Sequence, residues 1–212
     1  MSSGVMKNMT RRQALGSALK LAGGVTLSGL VVSMARPLTA EAAAPNNVHL
    51  YMSILTGKMN GKAGWPEFVP ANFTVPANTL LRVQIRCFDD GPAPLAADSY
   101  SKVAGTEGGT ITVIKALNGM VDKTQGKTVT EIPADGVAHT LTIIGQNSKN
   151  LLNVPLPPLS TVKFAFRTPG AGSYYWQCFA ACGTGESGWG GPMVTQGWMK
   201  GIMTVAAGEL GC

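Results

Sequence analysis

Charge is scarce in this 212-residue chain: only 13% of its residues are Asp, Glu, Lys or Arg, against 45% hydrophobic residues. Such a ratio excludes an intrinsically disordered protein, because there is ample apolar material to bury and little charge to keep the chain open. Amphipathic helical periodicity is missing, as are internal repeats and low-complexity linkers. No catalytic triad, phosphate-binding loop or paired-carboxylate arrangement stands out, which argues against an enzyme acting alone. What the chain has in quantity is glycine (27) and proline (13), the composition of many short strands joined by tight turns. The length suits one domain plus a leader, or two very small domains.

The net charge of +6 hints at a nucleic-acid partner until the charges are located. Residues 1–44 hold Lys7, Arg11, Arg12, Lys20 and Arg36 against Glu41 alone. Without those five and one, the 17 basic and 11 acidic residues fall to twelve and ten. No Lys/Arg cluster remains to follow a phosphate backbone, so nucleic-acid binding is not expected. Thr10-Arg11-Arg12-Gln13-Ala14-Leu15 resembles the twin-arginine export motif. A largely apolar run to Ala35 follows, then a small-residue stretch, Ala40–Ala44, that fits a cleavage site. The uninterrupted run Leu21–Ala35 is short and rich in Gly, Ser and Thr for crossing about 30 Å of hydrocarbon. Residues 1–44 are therefore expected to be a twin-arginine-type signal peptide delivering residues 45–212 to the periplasm or the extracytoplasmic face of the membrane. Membrane association follows only if the leader is retained.

Within 45–212 the strand signals are clear in places. Leu81, Val83, Ile85 and Cys87 alternate with Arg82, Gln84 and Arg86, a half-buried strand of period two. Phe73–Thr79 before it reads as a strand and a turn, and strands are also expected at Asn47–Ile54, Thr110–Ile114, Thr128–Ile132, Ala138–Ile144, Thr161–Phe166, Ser173–Gln177 and Gly201–Val205. Pro155, Pro157 and Pro158 read as a turn. Residues of about 91–136 read as an insertion. The expected fold is all-β, a Greek-key antiparallel β-sandwich.

The chemistry concentrates between Val137 and Val205. Ala138-His139-Thr140-Leu141 opens one strand; Ser173-Tyr174-Tyr175-Trp176-Gln177-Cys178 closes another and runs into Phe179-Ala180-Ala181-Cys182-Gly183; Met199-Lys200-Gly201-Ile202-Met203-Thr204-Val205 ends the block. Thiolate, thioether and imidazole form a soft-to-borderline ligand set that suits copper best. A histidine at a strand start, a cysteine at a later strand end and a methionine beyond the next loop can converge at one end of a sandwich.

This block resembles the copper-binding half of the cupredoxins, in particular the domain of cytochrome c oxidase subunit II, whose signature ends in P-G-x-Y-Y-x-Q-C-x-x-x-C-G. The resemblance implies His139, Cys178, Cys182 and Met199 as copper ligands, with Met199 the weak axial one. It covers about a third of the chain. The second histidine of the family is missing: Glu186 and Gln196 stand where it is expected, and the only other histidine, His49, falls on the first strand. A standard binuclear or two-histidine blue site cannot be assembled from these residues. Met193 rivals Met199 as the thioether, and Glu186 or Gln196 could supply an oxygen. Tyr174, Tyr175 and Trp176 are expected in the core. A Cys178–Cys182 disulfide is the alternative that export invites, and Cys87 with Cys212 could form another. The functional expectation is an exported copper protein that transfers electrons to a redox partner protein or respiratory complex. Copper chaperoning or storage is the alternative, as is a metal-free interaction subunit.

Overall fold

The computed structural model describes residues 48–117, 120–121 and 126–207. The expected signal peptide and Cys212 lie outside them. In chain order the strands are β1 (Val48–Leu55), β2 (Glu67–Val69), β3 (Phe73–Pro76), β4 (Leu80–Cys87), β5 (Ile111–Leu117), β6 (Met120–Val121), β7 (Lys127–Val129), β8 (His139–Ile144), β9 (Asn150–Leu156), β10 (Ser160–Arg167), β11 (Gly172–Gln177) and β12 (Lys200–Ala206). They form two sheets. One runs β2-β1-β4-β10-β5, with β6 and β7 both paired to β5; the other runs β3-β12-β11-β8-β9. Among the described residues no helix is long and apolar enough to cross a membrane.

The all-β sandwich is as expected, but both sheets are mixed: β1 pairs β4 in parallel, and β12 pairs β3 in parallel. Parallel neighbours need a long connection, and residues 56–79 supply one. The chain leaves β1, adds β2 to the same sheet, crosses to the other sheet as β3 and returns as β4. Thr168 latches that return. Its hydroxyl donates to the Pro76 carbonyl at 2.7 Å and accepts the Thr79 N–H at 2.9 Å.

Period-two patterning predicts β4 well. Leu81, Val83, Ile85 and Cys87 are buried while Arg82 and Arg86 are exposed. The core lies between the sheets, where Ile54, Phe68, Leu81 and Ile85 meet Leu141, Ile143, Trp176 and Met203. Residues 91–136, expected as an insertion, contribute β5, β6 and β7 to the first sheet, where β5 pairs β10 through Val113↔Val162. The strand expected at Thr128–Ile132 shortens to β7. Pro155, expected in a turn, sits inside β9 opposite Thr140. Proline lacks the N–H that a ladder needs, and it is tolerated here because β9 is the last strand of its sheet.

This topology fixes the functional end. In the second sheet β8, β11 and β12 are consecutive antiparallel neighbours. The start of β8, the end of β11 and the start of β12 therefore lie at the same edge of the sandwich. The end of β4 reaches that edge from the opposite sheet.

Candidate metal centre

His139 is the first residue of β8 and is fully buried. Its Nε2 meets Oδ2 of Asp89, two residues beyond β4, at 3.1 Å. Nδ1 is buried and has no hydrogen-bond partner. An orphaned buried polar atom is uncommon and calls for a physical reason. Ligation by Nδ1 with Nε2–H directed at a carboxylate is one, because a carboxylate partner fixes the tautomer and orientation of a ligating imidazole.

Cys178 follows β11 directly and is also fully buried. Its N–H donates to the Met199 carbonyl at 2.9 Å, tying the end of β11 to the start of β12. Its sulfur accepts the N–H groups of Thr140 at 3.3 Å and Ala180 at 3.4 Å. Cys182 Sγ lies 3.7 Å from Cys178 Sγ and 3.3 Å from the Met193 thioether. A disulfide has its sulfurs about 2.05 Å apart, so the two cysteines are in contact and unbonded. One ligand atom each from His139, Cys178 and Cys182 lie within 4.8 Å of one another.

The electrostatics of the cluster favour a single thiolate, at Cys178. Burial opposes charging of His139, but the hydrogen bond to Asp89 and the nearby Cys178 sulfur outweigh it and raise the imidazole to about 9. Asp89 is held below the usual carboxylate range by that same hydrogen bond, against partial burial. Burial works against a Cys178 thiolate as well. The Cys182 thiol, the neighbouring His139 imidazole with its positive charge, and the Thr140 N–H together bring it well below its ordinary value. Cys182, as the donor to Cys178 and itself buried, is pushed up.

The loop after Cys182 folds back on the site because its glycines allow close approach. Gly183 donates to the Gly188 carbonyl at 2.7 Å. A Cβ on Gly183 would strike the Gly190 carbonyl and come within 2.6 Å of the Met193 side chain. Met193 and Met199 are both fully buried, and the Met199 N–H donates to the Pro192 carbonyl at 3.2 Å.

The structure brings His139, Cys178 and Cys182 together, with Met193 as the thioether in contact with a cysteine. Met199 joins the site through its backbone carbonyl. The oxygen candidates are elsewhere: Glu186 is exposed, and Gln196 is exposed with its amide reaching Asn72. His49 is exposed on β1 and stacked on Tyr51. Tyr174 and Trp176 are core residues, but Tyr175 points outward and is 65% exposed, as strand alternation requires. Cys87 is a buried free thiol. Asp89 was invisible in the sequence, where it reads only as the turn ending β4.

The chain folds as a mixed two-sheet sandwich in which the ends of β8, β11 and β12 bring His139, Cys178 and a thioether-bearing loop to one place. Among solved structures it is similar to auracyanin B, at 14% identity over 77% of this chain and 91% of that one, TM-score 0.34. It is similar to reduced rusticyanin, at 14% identity over 77% and 81%, TM-score 0.32. It is also similar to a multi-copper oxidase from Pediococcus acidilactici, at 10% identity over 89% of this chain and 31% of that one, TM-score 0.36. No protein-family model matches the sequence, and no curated protein does. The donor set itself fits a soft metal ion: two sulfurs, a thioether and an imidazole nitrogen are what copper selects.

Proposed function

We propose that this cupredoxin-like protein binds a single copper ion and carries electrons outside the cytoplasm. The observation that supports this best is the fully buried His139, which clusters with two cysteine sulfurs and whose Nδ1 has no hydrogen-bond partner. His139 would ligate through Nδ1, Cys178 and Cys182 as thiolates, and Met193 or Met199 as the thioether. A bound copper ion supplies one-electron redox chemistry. The protein's part is rigidity and exclusion of water. Three of the donors sit at strand ends or on a loop pinned by backbone hydrogen bonds, so they would move little between oxidation states. Asp89 holds the His139 ring, and the N–H groups of Thr140 and Ala180 stabilise charge on Cys178. The electron would pass to or from a redox partner protein or a respiratory complex. Metal analysis of the purified chain, with visible absorption in the oxidised state, tests the reading: a cupric thiolate site is strongly coloured.

A second reading, copper storage or transfer, is favoured by the Cys182–Met193 sulfur contact of 3.3 Å. A sulfur-rich donor set prefers the cuprous ion, which would then be cargo. Such a protein would be colourless and would release copper to a chelator.

Export rests on residues 1–44. Replacing Arg11 and Arg12 by lysine should leave precursor in the cytoplasm, and unchanged export would remove the twin-arginine route from the proposal.

A further inference from the structure

The three clustered ligands differ in access. His139 and Cys178 have no exposed surface, while Cys182 is partly exposed. Cys182 and Asp89 line a cavity of about 420 Å³ that opens to solvent, and Lys58, Ala63, Phe88 and Asp90 are among its other lining residues. The outer wall is preformed. Asn60 donates its amide to the Trp65 carbonyl at 2.7 Å and accepts the Lys62 N–H at 3.0 Å, closing residues 60–65 into a tight turn. Gly57 is so enclosed by that turn that a Cβ would fall within 2.7 Å of the Gly64 and Trp65 nitrogens. The cavity is too large to be a packing defect and too small for a folded protein segment. It suits a small molecule of about a dozen heavy atoms (a water occupies about 30 Å³ of liquid). Cys182, Asp89 and Asp90 are all among its lining residues.

From this geometry we infer that the cavity is the port through which a cuprous ion, carried by a small soft-donor ligand such as a thiol, reaches and leaves the site by ligand exchange at Cys182. The inference rests on the copper-binding reading and adds the route. Cys182 Sγ is the group an incoming Cu(I)–thiol complex meets first. One carrier sulfur leaves copper as Cys182 Sγ bonds to it, and the Cys182 proton passes to the departing thiolate, so charge balances and copper stays cuprous throughout. As Cys178, 3.7 Å further in, and His139 then bind, the second carrier thiolate leaves copper and takes the proton that the His139 ring gives up, so copper stays cuprous. Asp89 and Asp90 favour a cation in the port.

The test uses the full chain loaded with Cu(I) under reducing conditions and follows extraction by bicinchoninate, whose cuprous complex is coloured. Ala63→Trp fills the mouth from an exposed position, and Lys58→Trp does so from another side if the first variant folds poorly. Either should slow extraction at least tenfold while leaving copper stoichiometry and equilibrium affinity unchanged. Lys127→Trp, in a separate groove beside Val113 and Pro157, should leave the rate as in the wild type. A folded Ala63→Trp or Lys58→Trp protein that releases copper at the wild-type rate overturns the port while leaving the copper reading intact. A wild-type chain that takes up no Cu(I) overturns both.

Discussion

His139 Nε2 and Asp89 Oδ2 meet at 3.1 Å and join the two sheets at the functional end of the sandwich. The imidazole starts β8 and the carboxylate follows β4, so the pair couples the ligand's orientation to the packing of sheet on sheet. Asp89→Ala leaves Nε2–H without its acceptor and releases the tautomer. Copper affinity should fall about 10- to 100-fold, read by chelator competition, with far-UV dichroism unchanged. An unaltered affinity would mean that Asp89 serves only the fold.

Met193 makes the thioether contact with Cys182, whereas Met199 is tied to Cys178 by its carbonyl. Leucine preserves volume in either place and costs less than about 1.5 kcal/mol. Met193→Leu should weaken Cu(I) binding and shift the ultraviolet thiolate absorption. Met199→Leu should change both less. The reverse order would return the axial role to Met199.

Gly201 faces Trp176 across the β11–β12 ladder. The Trp176 indole N–H donates to the Ala71 carbonyl at 2.8 Å, passing where a Cβ on Gly201 would sit. Gly201→Ala should destabilise the fold by about 1–3 kcal/mol, the usual range for overpacking, measured by denaturant unfolding. The glycine in Met199-Lys200-Gly201 thus owes its place to the core beneath the site.

These cases show how far the residues reveal their own arrangement. Strand alternation from Leu81 to Cys87 and the block from His139 to Val205 are legible because period-two patterning and ligand spacing are local. β9 is not, because Pro155 reads as a turn unless its place at a sheet edge is known. Asp89 is fifty residues from His139, and nothing near it in sequence marks it as a partner. Met193 gains its contact from a glycine loop whose path back to Cys182 depends on close backbone approach at Gly183. Glu186 and Gln196 looked plausible by spacing alone, yet the same loop turns both to solvent.

Cys87, buried at the end of β4, has its thiol pushed up from 9.0 to about 12, chiefly by burial. The folded protein keeps the proton where the unfolded chain loses it. The stability this provides is therefore complete below pH 9 and declines as pH rises from there through about 12. Under reducing conditions, the loss of stability between pH 8 and pH 10.5 should be smaller in Cys87→Val than in the wild type. Equal losses would mean that Cys87 does not titrate with unfolding.

Copper content of the full chain, loaded under reducing conditions and then oxidised for paramagnetic resonance, tests the central claim most directly. With His139 the one imidazole in the cluster, and Glu186 and Gln196 exposed, a second copper has no terminal nitrogen to hold it. The account predicts one copper per chain, lost or much weakened in Cys178→Ser, and no signal of a coupled pair. Two coppers per chain with the seven-line pattern of a delocalised mixed-valence pair would contradict it, as would a reduced, copper-replete protein containing none.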